Sequence, residues 1–87
     1  RRPTGGGSWS VATVPGYTFL SHDTHNNISL GLCPADGTVH LAFDHHKNTL
    51  RYVISQAGAA TATTWSSALF NTVRSHLVAG QTLTDVT

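Results

Sequence analysis

Charge is scarce in this sequence. Five Lys and Arg stand against four Asp and Glu, and the net charge is +1 at pH 7 with histidine neutral. The cations Arg1, Arg2, Lys47, Arg51 and Arg74 are scattered along the chain. That excludes the clustered basic surface that a nucleic-acid partner requires. Cysteine occurs once, at Cys33, so an internal disulfide is excluded. Lying in an apolar stretch, that thiol reads as a buried packing group. No apolar run approaches the ~20 residues that cross a bilayer, so no membrane partner is expected. Methionine is absent, and the 87 residues open on Arg1-Arg2-Pro3 and the run Gly5-Gly6-Gly7. The chain therefore reads as one piece of a larger protein, with residues 1–8 a flexible lead-in.

Histidine, by contrast, is plentiful, with six in the chain. The stretch from His22 to Tyr52 gathers five of them. Two apolar-rich runs, Ile28 to Cys33 and Val39 to Phe43, flank Pro34-Ala35-Asp36-Gly37. Pro34 fixes its own φ, Asp36 tolerates a turn, and Gly37 can take the positive φ that closes it. Both runs alternate with a period of two, Ile28, Leu30, Leu32 and Val39, Leu41, Phe43 on one set. The other set is small or polar, which suits a sheet covered on both faces. Pairing outward from the turn sets Cys33 opposite Thr38. It brings His25 opposite His46, or His45 if a bulge shifts the register. Cross-strand neighbours lie roughly 5 Å apart. Because His45 and His46 point to opposite faces, only one of them can share the face of His25.

Along the chain, Trp9 to Val14 alternates like a short strand, Pro15-Gly16 is a turn, and Tyr17 to Leu20 is an extended lead into the hairpin. The hairpin spans residues 26–45, and a third strand covers 50–55 after a turn at Lys47-Asn48-Thr49. Residues 56–80 form a link in which Trp65, Ala68, Leu69, Val73 and Leu77 fall at helical spacing, with Gly80 as a cap. At most a short helix is expected there. The alternation from Thr82 to Thr87 reads as the start of a last strand. The fold class is all-β, a meander of antiparallel strands.

The runs His25 to Leu32, H-N-N-I-S-L-G-L, and Asp36 to His46, D-G-T-V-H-L-A-F-D-H-H, with Leu50-Arg51-Tyr52, resemble the BNR-4 repeat family. Its members are β-propellers similar to ulvan lyases and rhamnose–glucuronate lyases. The segment Trp65 to Phe70 resembles the link between blades. The resemblance covers residues 17–87 and implies about two blades of a seven-bladed propeller, with residues 9–87 as the partial propeller. It implies β-elimination on a uronate-containing polysaccharide. That reaction needs a base for the C5 proton, an acid for the leaving oxygen and a group that neutralises the carboxylate. Histidine suits the proton steps because its pKa lies near working pH. Carried over, the catalytic residues fall on His25 and His45, with Asn26 and His46 binding substrate. A further Tyr and Arg are expected past Thr87, with Tyr52 and Arg51 farther from the cleft, so this piece alone is expected to be inactive. The implied partners are an acidic polysaccharide and the remaining blades, and the implied location is secreted or periplasmic.

Plainer readings stand beside these. His25, His45 and His46 can be structural, His40 packing and His76 surface. Asn26 can bond the backbone at the strand start, and Asp44 can orient a histidine or satisfy the turn. Trp9 and Trp65 can stack on sugar or pack. His22 and His25, with His45 or His46, could hold zinc. No cofactor is expected in this piece; a structural zinc or calcium is expected at most in the full-length protein, and no residue here is assigned as its ligand. The alternative function is a propeller module that binds glycan or protein without catalysis.

Overall fold

A computed structural model describes residues 1–19 and 22–84. Three strands, β1 (Ile28–Cys33), β2 (Thr38–Phe43) and β3 (Tyr52–Ile54), form one antiparallel sheet in the order β1-β2-β3. The fold is all-β, a three-stranded meander, and the described residues contain no α-helix. The β1–β2 register runs from Cys33↔Thr38 to Ile28↔Phe43 with no bulge. β3 pairs His40↔Ile54, Leu41↔Val53 and Ala42↔Tyr52.

The hairpin turn forms as its residues dictate. The Gly37 amide donates to the Cys33 carbonyl at 2.8 Å, and Gly37 takes φ 71. Asp36 Oδ1 accepts from the Thr38 amide at 3.0 Å and the Thr38 hydroxyl at 2.7 Å. The turn is also clamped from outside. The Gly58 amide donates to the Asp36 carbonyl at 2.7 Å, and the Ala60 amide to the Gly37 carbonyl at 2.9 Å. A Cβ on Gly37 would lie 2.9 Å from the Gly58 Cα. Gly37 is thus required twice, for its left-handed φ and for close backbone approach.

One sheet face carries Val39, Leu41, Phe43 and Val53. Val39, Phe43 and Val53 join Ala59 and Phe70 in the buried core, and Val14, Tyr17, Leu41, Trp65, Leu69 and Val73 pack against it. β1 departs from this. Ile28, Leu30 and Leu32 share that face by register yet remain 64%, 64% and 60% exposed. The expectation of a sheet covered on both faces therefore holds for β2 and β3 but not for β1. Cys33 is half-buried rather than buried.

Other expectations need correction. Trp9 to Val14 forms no strand: Ser10 exchanges backbone bonds with Arg1 at 2.7 and 2.8 Å, but no strand is assigned there, and Trp9 and Val11 are exposed. The expectation of at most a short helix after Trp65 is met by a 3-10 turn at Ser67–Leu69. Beyond it the chain lies antiparallel to β3: Tyr52 and Arg74 exchange backbone hydrogen bonds of 2.9 and 2.8 Å, and the Asn71 amide donates to the Ile54 carbonyl. The polar backbone finds partners on the free edge of β3. A second 3-10 turn covers Ala59–Thr61. Thr84 pairs with Thr49 and the Leu50 amide donates to the Leu83 carbonyl at 2.8 Å, while residues 85–87 of the last expected strand, and Leu20 of the lead-in, lie outside the described residues.

Val53 is fully buried at the sheet centre. Val53→Ala is expected to cost about 2 kcal/mol, from two methyl groups and the cavity they leave, read as a lower urea midpoint. Gly37→Ala is expected to destabilise more than Gly58→Ala, although both glycines have positive φ, because Gly58 has open space where a Cβ would go. Equal urea midpoints for the two variants would contradict the clamp.

Candidate functional site

The site forms where the hairpin opens. Just before β1 the chain turns at Asp23. Its Oδ1 accepts from the His25 amide at 2.9 Å, and its carbonyl accepts from the Asn26 amide at 3.0 Å. The same carboxylate then reaches two imidazoles. Asp23 Oδ1 lies 2.9 Å from His25 Nδ1, and Oδ2 lies 2.8 Å from His46 Nδ1. The two rings sit 4.4 Å apart, centroid to centroid, tilted by 36°.

This geometry fixes protons. An ionised carboxylate only accepts, so both Nδ1 atoms must carry hydrogen. Each neutral ring therefore presents its lone pair at Nε2. The bonds hold the Asp23 carboxyl well below the usual carboxylate range, chiefly the one from the His46 ring, then those from the His25 backbone and ring. Asp23 is ionised at any ordinary pH.

A second acid anchors the site to the core. Asp44 is 3% exposed and sits at φ 50. Its Oδ1 accepts from Asn26 Nδ2 at 2.7 Å, and its Oδ2 from the Tyr17 hydroxyl at 2.5 Å. Asn26 Oδ1 in turn accepts from the His46 amide at 3.2 Å. Burial, then the bond to Asp44, raises the Tyr17 pKa. The Tyr17 ring packs edge-on against Phe43 at 5.2 Å, and the Arg51 guanidinium lies 6.0 Å from its centre. Tyr17, Asp44, Asn26 and His46 thus form one continuous bonded chain from core to surface.

Of the residues the sequence singled out, His25 and His46 come together and His45 does not. His45 Nδ1 lies 3.1 Å from the Phe43 carbonyl, a bond back to its own strand end. The cause is local. Left-handed residues at Asp44 and Lys47 break the strand after Phe43, so alternation no longer decides which histidine faces inward. Asn26 spends both ends of its amide within the protein. Asp44 ties the turn and, through Asn26, the backbone of His46. His22 is exposed and outside the cluster. Asp23 occupies the place that the H-x-x-H reading gave to His22: Asp23, His25 and His46 offer ligand atoms all within 4.8 Å of one another. Asp23 and Tyr17 were missed by sequence reasoning. The visible signal for Asp23 was its D-x-H spacing, suited to a carboxylate bonding its own backbone two residues on.

His40 lies on the opposite sheet face. Thr38 Oγ1 donates to Asp36, so it must accept from His40 Nε2 at 2.8 Å. His40 Nδ1 is left to pair with the Tyr52 hydroxyl. This is a bonded row that fastens β2 to β3, so His40 does more than pack. His76 is half-buried. Trp65 packs edge-on against Phe70 at 5.5 Å, while exposed Trp9 lies under the Arg2 guanidinium.

Comparison with known proteins gives one family model, described as a BNR repeat-containing family member, that matches residues 1–87. The match takes in the glycine-rich lead-in, which the sequence resemblance left out. No curated protein matches the chain.

Asp23→Asn is expected to uncouple the two rings, seen as loss of His25–His46 proton contacts by NMR. The wild type should lose the same contacts in acid. The folded-state pKa of Asp23 lies below its ordinary value of 3.8, so the network contributes stability above that value. The contribution fades as pH falls from there through the depressed value. Ring contacts that persist unchanged through that window would contradict the assignment.

Proposed function

The chain belongs to the BNR repeat-containing family, and from that premise we propose that it is part of a propeller-shaped lyase that cleaves a uronate-containing polysaccharide by β-elimination. The observation that carries the reading is the pair of imidazoles held 4.4 Å apart by one ionised carboxylate.

β-Elimination moves two protons in opposite directions. The C5–H bond breaks and its proton goes to a base; the C4–O bond breaks and the leaving oxygen takes a proton from an acid; the electron pair closes the C4=C5 double bond. Two histidines with Nδ1–H fixed on Asp23 can divide these tasks. One neutral ring accepts at Nε2, and one protonated ring donates from Nε2. With Asp23 ionised, that state of the triad carries no net charge. In this reading His25 keeps its catalytic place and His46 takes the second one. His45 holds the end of β2, and Asn26 positions the backbone of His46 rather than touching sugar. Asp23 is a positioning residue. Substrate is an acidic polysaccharide met outside the cell, and the remaining blades supply the rest of the cleft.

The test uses the full-length protein with glucuronate-containing polysaccharides, following the ultraviolet absorbance of the unsaturated product. Absorbance should rise in the wild type. It should fall by about 10²–10⁴-fold in His25→Ala and in His46→Ala, the usual worth of a positioned proton donor or acceptor. His45→Ala should change it far less. No absorbance from the folded wild type on any uronate polymer would overturn the lyase reading in favour of a glycan- or protein-binding module.

A further inference from the structure

We infer that His25 and His46 form a binding site for a divalent transition-metal ion of the Zn2+ class, taken through the two Nε2 atoms with Asp23 orienting both rings. The argument begins with the shared carboxylate. A histidine that binds metal through one nitrogen almost always donates its other ring N–H to a carboxylate, carbonyl or water. Here both rings already donate Nδ1–H to Asp23, at 2.9 and 2.8 Å. Both Nε2 lone pairs are therefore directed away from the acid before any ion arrives.

Spacing supports the same conclusion. Zn–N bonds of about 2.0–2.1 Å at tetrahedral angles put two ligand nitrogens about 3.3 Å apart. The two rings lie side by side, centres 4.4 Å apart, so a turn of the His25 ring is the movement that would bring its Nε2 to that spacing from His46. His25 is largely exposed, with a side-chain exposure of 70%, so its ring can turn while its Nδ1 stays on Asp23. His46 is the fixed partner, since its backbone amide is held by Asn26 and its ring by Asp23. The donor set of imidazole beside carboxylate favours zinc over calcium or magnesium, which prefer all-oxygen shells. Two protein nitrogens leave two coordination positions open to water or an incoming oxygen ligand. The bonds of Asp23 and Asn26 hold this pair, and His45 lies outside it.

Metal binding stands on this geometry alone. One consequence rests on the lyase reading: an ion on both Nε2 atoms removes the acid and the base together, so Zn2+ should inhibit elimination and a chelator should restore it.

The test is calorimetric titration of the metal-free, full-length protein with Zn2+, with Co2+ as a spectroscopic probe whose visible absorption reports nitrogen ligation. The wild type should take up one more equivalent than His25→Ala or His46→Ala. Asp23→Asn should keep that equivalent with an affinity about 10–100-fold weaker, as for other orienting carboxylates. His22→Ala and His45→Ala should match the wild type. Equal uptake by the wild type and His25→Ala would overturn the site, as would loss of the equivalent in His45→Ala. If His46→Ala fails to fold by circular dichroism, His25→Ala decides alone, since that ring is largely exposed. Uptake as expected without lyase activity would overturn the lyase reading and leave the metal site standing. Activity without the extra equivalent would do the reverse.

Discussion

Everything at the site depends on the register of one hairpin. Gly37 closes the turn at a φ that other residues resist, and the Gly58 and Ala60 amides hold that turn from outside. With Cys33 set opposite Thr38, each later pair is determined, down to Ile28 against Phe43. The register ends at Phe43, and beyond it the bonds of Asp23 and Asn26 bring His25 beside His46. A slip of one residue would turn every apolar side chain of β2 to the other face and separate the two rings. Core packing is enforced by this ladder, and the site by the side-chain bonds of Asp23 and Asn26 that begin where the ladder ends.

Two carboxylates then do different work a few residues apart. Asp23 is half-buried at the surface and sets which nitrogen of each ring carries hydrogen. Asp44 is buried and accepts from Tyr17 and Asn26. Burying a carboxylate is costly without such partners, and here they are recruited from the lead-in, the strand start and, through Asn26, the backbone of His46. The acid that looks like a turn residue in sequence is thus the joint between the aromatic core and the histidine pair.

Much of this was legible in the residues. Alternation located β1 and β2, the Pro34–Gly37 chemistry located the turn, and counting outward placed His25 against His46. The departures have physical causes. Strand parity was extended to residue 45, but the left-handed backbone at Asp44 ends it at Phe43 and changes the direction of His45. Apolar spacing after Trp65 allows at most a short helix, and the 3-10 turn at Ser67–Leu69 is that; beyond it the unpaired edge of β3 offers hydrogen bonds that bring residues 70–74 into line with it. Alternation at Trp9 to Val14 had no strand to pair with. Asp23 was passed over because a lone acid between histidines has no periodic signature. Its role appears only when two segments distant in sequence meet at one carboxylate.

The exposure of β1 has a further meaning. Ile28–Cys33 contains no lysine, no proline and no charged residue, the features by which edge strands usually deter unwanted pairing. One of its edges bonds to β2, and the other presents six residues of backbone beside uncovered Ile28, Leu30 and Leu32. Such a strand is a template for another. Until something lies against it, the strand that leads away from the histidine pair is also open to self-association.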